Sequence, residues 1–309
     1  MLSLFGAGVM PVNKLLYIKI MQWNKSIILG TVAAVLFSTS TLLAGDAPLI
    51  IKQPESQFIR VGDSATFSVK AVTPKLETPV EMVWIQPGTF FMGSDEGEEY
   101  RKDNETRHAV VLTQGFWMSK FEITEAQYKK VMTTCPSENG DNMPVCKVSW
   151  ENAMTFCEYL TDQEKKAGKL PSGYKYTLPT EAQWEYACRA GTTGMYNVDA
   201  DVNEIGWFSE NSENVIHEGG QKKPNAWGLY DMHGNAWEWC LDSYWPDLGT
   251  LAAVDPYMFE DNENYPNYRV TRSGSFTESS TGSRSARRDY YGKTRADRDF
   301  GIRIVLVHE

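Results

Sequence analysis

Asp231 and Glu238 are the two carboxylates of a stretch from Lys223 to Trp239 that reads K-P-N-A-W-G-L-Y-D-M-H-G-N-A-W-E-W. The stretch has neither helical nor strand period, so something other than a regular hydrogen-bond ladder must hold it. The two carboxylates offer hard anionic oxygens. Gly234 and Asn235 allow the chain to bend so that backbone carbonyls turn inward. Hard oxygens on a flexible turn are the donors that calcium takes. The competing reading has Asp231 capping a turn and Glu238 pairing with an arginine.

Other chemistry-bearing residues are sparser. The five cysteines are Cys135, Cys146, Cys157, Cys188 and Cys240, with no C-x-x-C spacing to suggest a zinc knuckle or a thioredoxin-type pair. Cys135 and Cys146 flank a polar loop and either close it as a disulfide or stand as two separate thiols. His108, His217, His233 and His308 are scattered, and no pattern suits an iron site with two histidines and a carboxylate. His233 reads as a surface turn residue. Arg284, Arg287, Arg288, Arg295, Arg298 and Arg303 crowd the C-terminal quarter beside Asp289, Asp297 and Asp299. They form either an anion-binding groove or, the preferred reading, a lattice of salt bridges that ties irregular loops together. Trp245, Tyr257, Tyr265, Tyr268, Tyr290 and Tyr291 line a ligand groove or fill the core.

Three helices are legible around these residues. Thr124 caps Glu125–Met132. Ser149 caps Trp150–Ala167, with Ala153, Phe156, Cys157 and Leu160 on one face. Thr180, after Pro179, caps Glu181–Arg189. The rest is short strands and long loops rich in Gly, Asn, Asp and aromatics. The expected fold class is α+β, irregular and loop-rich, with low regular secondary structure.

Ahead of that domain, residues 1–44 read as a leader. A basic start is followed by the apolar run Ile27–Leu36 and small residues ending at Ala44, the layout of a signal peptide, with Met21 as an alternative initiator. An uncleaved anchor is the competing reading, but the run is short for a span. Residues 45–80 form a short strand-bearing segment in which Ala65, Phe67, Val69 and Ala71 alternate with polar residues. It resembles the first strands of an immunoglobulin-like domain and is too short for a whole one. Residues 81–309 are then a single domain. Residues 1–44 hold Lys14, Lys19 and Lys25 and no acid, so without them the net charge of −10 becomes −13. Such a charge argues against nucleic acid as a partner. It suits an exported protein, periplasmic or extracellular, with no stable membrane span once the leader is removed.

Several blocks carry a resemblance in the same order along the chain. They are M-V-W-I-Q-P-G-T-F-F-M-G-S at Met82–Ser94, F-W-M-S-K-F-E-I-T at Phe116–Thr124 and P-V-C-K-V-S-W-E-N-A at Pro144–Ala153. Further on come L-P-T-E-A-Q-W-E-Y-A-C-R-A-G at Leu178–Gly191, the Lys223–Trp239 stretch, R-V-T-R-S-G-S-F at Arg269–Phe276 and F-G-I-R-I-V at Phe300–Val305. Together they resemble the formylglycine-generating enzyme, or sulfatase-modifying-factor, family over roughly Glu81 to His308.

The resemblance implies an irregular fold related to C-type lectins. It also implies a calcium site made by the side chains of Asp231 and Glu238 and the carbonyls of Gly234 and Ala236. A second family calcium site would involve Asn211–Gly220, which is short and lacks the acidic pattern. The family's oxidases hold Cu(I) on two cysteines and convert a substrate cysteine to formylglycine. Those positions fall here at Glu278 and near Ser283, and no cysteine follows Cys240. Carboxylate and hydroxyl are hard donors and hold Cu(I) poorly, so no catalytic residues are assigned. The usual disulfide mates of Cys157 and Cys188 fall at Ile304 and Ser285. These two thiols are therefore free and buried, or pair with Cys240.

The function expected is that of an exported, calcium-stabilised binding or accessory module for a peptide, protein or glycan ligand. The alternative is a formylglycine-generating oxidase that matures sulfatases. A third reading, a maturation enzyme of another kind, would centre on Glu278.

Overall fold

The helices begin where the capping side chains stand. In the computed structural model, α1 (Glu125–Met132), α2 (Trp150–Lys166) and α3 (Glu181–Arg189) start after Thr124, Ser149 and Thr180, whose hydroxyls accept backbone N–H groups of the first turn. Gln127 and Gln183 reach back to the cap residues and complete capping boxes at α1 and α3. Helix α2 stops one residue short of expectation, with Ala167 as its C-cap. Its expected face, Ala153, Phe156, Cys157 and Leu160, is buried.

The structure describes residues 78–198 and 201–309, with the backbone of three earlier strands: β1 (Leu16–Ile18), β2 (Leu49–Lys52) and β3 (Phe67–Val72). The chain divides into Met1–Lys75 and Leu76–Glu309. In the first unit β3 lies antiparallel between β1 and β2, and β3 falls within the expected alternating segment. The leader expected over residues 1–44 lies otherwise outside the described residues. Among the described residues no helix is long and apolar enough to cross a membrane.

The second unit is built on short strands. An antiparallel sheet orders β4 (Met82–Ile85), β7 (Phe116–Ser119), β16 (Val305–His308) and β8 (Tyr174–Thr177). A second sheet orders β14 (Asp289–Gly292), β13 (Tyr268–Arg272), β11 (Trp237–Ser243) and β15 (Phe300–Gly301), with β15 parallel to β11. β12 (Ala253–Val254), β6 (His108–Leu112) and β5 (Gly88–Met92) form a third. β9 (Gly206–Trp207) and β10 (His233–Gly234) make a short parallel pair. The main core gathers Ile85, Val110, Met118, Trp184 and Val305 from these sheets and α3, with Leu229 from the loop before β10.

Buried ion pairs then do what regular ladders cannot. Glu181 and Glu185, one turn apart on α3, both bond Arg272 of β13 at 2.7 Å. Arg288 grips Glu181 from the other side, and Arg189 pairs with Glu185 at 2.8 Å. Burial alone would raise both carboxyl pKa values. The facing guanidinium groups outweigh it and hold both below the ordinary range. Elsewhere Arg284 bonds Glu105 and Glu98, Arg287 bonds Asp289 and Arg295 bonds Asp297. The arginine-rich quarter is a lattice of salt bridges. Tyr244, Tyr265, Tyr268 and Tyr290 pack ring against ring, so those tyrosines are packing residues, although Tyr268 keeps an exposed edge.

Removing one partner of such a network strands an unpaired buried charge. Arg272→Met is expected to cost about 3–5 kcal/mol in denaturant unfolding. Arg298→Ala, whose partner is the exposed Asn214, should cost no more than about 0.5 kcal/mol.

Candidate functional site

The Lys223–Trp239 stretch is irregular up to Met232, but against expectation it then holds β10 and runs into the start of β11. Asp231, Gly234 and Asn235 all have positive φ, at 55°, 80° and 61°. At Gly234 an added Cβ would stand 2.1 Å from the Trp207 carbonyl oxygen, so only glycine fits. The turn is held by bonds from outside itself. Gly234 N–H donates to Ser273 O and Asn235 N–H to Trp207 O, each at 2.8 Å. Glu122, just before α1, accepts from the Asn235 side chain at 2.6 Å and from Ala236 N–H at 3.0 Å.

Three buried carboxyl groups meet here: Glu122, Asp231 and Glu238. They face one buried cation, Arg303. Its Nε lies 2.9 Å from both oxygens of Glu238, and its other nitrogens donate to Ser119 O and Tyr230 O at 2.8 Å. Trp184 Nε1 adds a 2.6 Å bond to Glu238. Glu238 is thus fully occupied, as the arginine-pair reading required. Asp231 is different. One oxygen accepts from Gly220 N–H at 2.7 Å, while Oδ1 is buried with no hydrogen-bond partner. Burial raises the Asp231 pKa to about 6, against the Gly220 bond and Arg303. Glu122 is also raised, by burial first and then by Asp231 and Glu238. With all three ionised, three negative charges face the buried Arg303 and the more exposed Lys222, which also acts on Asp231.

Of the predicted residues, Asp231, Gly234 and Ala236 lie on the turn, and Glu238 lies just beyond it in β11. Gly234 O is shared with Ser273 Oγ at 2.9 Å. Among the described residues no group of three or more His, Cys, Asp or Glu side chains is arranged to hold a metal ion. Glu122 and Arg303 were missing from the expected site. Their signal in the sequence is an acid and a base each set between apolar neighbours, Phe121 and Ile123, Ile302 and Ile304.

His233 corrects an expectation. It is not a surface turn residue but fully buried, with Nδ1 bonded to Ser283 O at 2.7 Å. Nε2 accepts from Asn197 N–H at 3.3 Å and lies 3.7 Å from Cys188 Sγ. Burial lowers its pKa to about 4. It also raises that of Cys188 to about 12, so the two form a neutral, inert contact.

All five thiols are free. The disulfide reading of Cys135 and Cys146 is not realised: Ser137 stands by both, 3.9 Å from Cys135 Sγ and 3.0 Å from Cys146 N. Cys157 and Cys188 do not pair with Cys240. Ser283 ends a single 3-10 turn, Ser280–Ser283, and Glu278 precedes its N-cap, Ser279. Glu278 is half-buried, and burial raises its pKa. Ser283 is fully buried.

The family model of the sulfatase-modifying factor enzyme 1-like domain matches residues 68–307. The chain belongs to this family. A formylglycine-generating enzyme of Streptomyces coelicolor is 31% identical over 150 residues, 44% of this chain and 42% of that protein. A serine/threonine-protein kinase, pkn1, of Chlamydia pneumoniae is 26% identical over 255 residues, 73% of this chain and 38% of the kinase. The chain thus spans less than half the length of either relative. Among solved structures, PvdO from Pseudomonas aeruginosa has a TM-score of 0.64 at 22% identity, covering 82% of this chain and 99% of that one. That likeness is one of fold.

The pKa of His233 gives a pH signature. Its folded value near 4 lies below the ordinary 6.5, so the unfolded chain binds the extra proton between them. The His233 contribution to stability therefore rises with pH through that window and is lost on acidification, by on the order of 3 kcal/mol between pH 6.5 and 4. Asp231, whose folded pKa is raised, contributes with the opposite sign over the same range, so the His233 share is read as a difference. The stability of the protein minus that of His233→Asn, which keeps a donor for Ser283, should increase with pH across this window in urea titrations.

Proposed function

We propose that this chain is a binding or accessory module built on the family domain, without the copper oxidase chemistry. One observation carries the reading. Where the resemblance places the two copper-binding thiols, the chain has the half-buried carboxyl of Glu278 and the buried hydroxyl of Ser283. These residues do not fit Cu(I), which prefers soft thiolates. Cys146, Cys157, Cys188 and Cys240 are buried elsewhere, and burial raises their pKa values. The match to part of a protein named as a kinase supports the same reading, because a shared domain need not share one activity. The ligand would be a peptide, protein or glycan met outside the cytoplasm.

Calcium would stabilise this module. The orphaned Oδ1 of Asp231 and the excess of buried negative charge suit a divalent cation. Asp231 with the carbonyls of Gly234 and Ala236 would hold it. Glu238 would join only by giving up a bond to Arg303 or Trp184. The ion would supply charge neutralisation, and it would lock the turn of positive-φ residues.

Two readouts on the full chain test this. Calorimetry should show calcium raising Tm after chelation, by the equivalent of about 2.7 kcal/mol at a hundredfold excess over Kd. Asp231→Asn should remove that response. The same protein, loaded with Cu(I) and given a cysteine-containing sulfatase-motif peptide, should release no formylglycine by mass. Formylglycine formation would instead establish the oxidase.

A further inference from the structure

The sheet of β12, β6 and β5 has an open edge. Its order leaves one side of β12 unpaired among the described residues. Asp255 N–H donates to Val111 O of β6 at 2.9 Å. Backbone groups alternate in direction along a strand, so the N–H and C=O of Val254 point away from β6. Neither has a partner among the described residues. The side chains here are apolar and uncovered: Leu251 is 84% exposed and Val254 64%. Val254 is the cross-strand partner of Val111, on the face opposite the buried Val110. An uncovered apolar edge with free backbone groups is a template for one more strand.

Two carboxylates bracket that edge. Asp247 accepts from Thr106 Oγ1 at 3.1 Å, just ahead of β6, and Asp255 accepts from Thr113 N–H at 2.8 Å, just past its end. Because β12 runs parallel to β6, the two acids lie toward its two ends. Both are exposed. Thr106 and Thr113 stand about 23 Å apart along an extended chain, the reach of about seven residues. Glu260 and Glu263 follow as further exposed acids, and no Lys or Arg lies between Lys223 and Arg269. Arg107, just before β6, is drawn toward the opposite edge. It lies 4.3 Å from the ring centre of Phe91 in β5 and 3.1 Å from Asp95.

Charge decides what can pair here. A second copy of this chain would bring like charge against like, at −10 per copy. A basic strand would meet opposite charge at both ends. We propose that β12 is the docking edge for an extended basic peptide of a partner protein, which joins the sheet as its fourth strand. The peptide backbone bonds the free groups of Val254, and an apolar side chain lies beside Val254. Lys or Arg near the peptide's ends meets Asp247 and Asp255. This rests on the binding-module reading for taking the peptide as a ligand and not a substrate.

The probe is the end-capped heptapeptide Lys-Val-Lys-Val-Lys-Val-Lys, titrated calorimetrically into the full chain. One peptide should bind per chain. Asp247→Asn combined with Asp255→Asn keeps side-chain shape and suits the positive φ of Asp255. It should weaken binding about tenfold. Val254→Pro removes the outward N–H and no charge, a change that an edge strand tolerates. Folded Val254→Pro should lose most of the binding. With the protein unaltered, the heptapeptide N-methylated throughout should show the same loss. Charge attraction alone would leave both at full strength, and that result overturns the edge, as does a heptapeptide that does not bind. A dimer of the full chain that Val254→Pro dissolves would give the edge to a second copy and overturn the basic partner. The titration does not depend on formylglycine. Oxidase activity in a chain that binds the heptapeptide overturns the binding-module reading alone, and an inactive chain that ignores the heptapeptide overturns the edge alone.

Discussion

Arg303 sits at the point on which the rest of this domain leans. Its guanidinium bonds Glu238 of β11, Ser119 of β7 and Tyr230 in the loop before β10. One buried side chain therefore ties together two sheets and the irregular stretch between them. Its planar fork suits the task, because it can meet a carboxylate and two carbonyls at once. The cost of burying it is met by partners on every side, without which a buried charge would strongly destabilise the fold.

The same device recurs through the C-terminal quarter. Arg272 and Arg288 bind the first turns of α3 through Glu181 and Glu185, and Arg284 binds the loop carrying Glu98 and Glu105. Long loops in a compact domain need such anchors. Four of the five thiols are also buried, and none is bridged, so charge pairs rather than disulfides fasten the described loops. At the turn around Asp231 the pairing is incomplete. Two carboxyl groups there are pushed toward their protonated forms by burial, which is where a cation would complete the charge balance.

Much of the scaffold was legible in the sequence because it is local. Thr124, Ser149 and Thr180 announce helix starts through their own hydroxyls. The ordered blocks from Met82 to Val305 point to the family, and the family model covers that span. What was not legible is set by distant contacts. The burial of His233 depends on Asn197 and Ser283. The place of Glu122 in the site depends on a turn more than a hundred residues later. Spacing along a chain carries neither of these.

The scaffold rests on its buried charge pairs, and Arg303 with Glu238 is the pair to measure. A double-mutant cycle of Arg303→Met and Glu238→Gln, unfolded by urea in the presence of a chelator, isolates their coupling. Each single change should cost about 3–5 kcal/mol, with the double costing clearly less than the sum. Additive and small losses, each below about 1 kcal/mol as for surface pairs, would contradict the account.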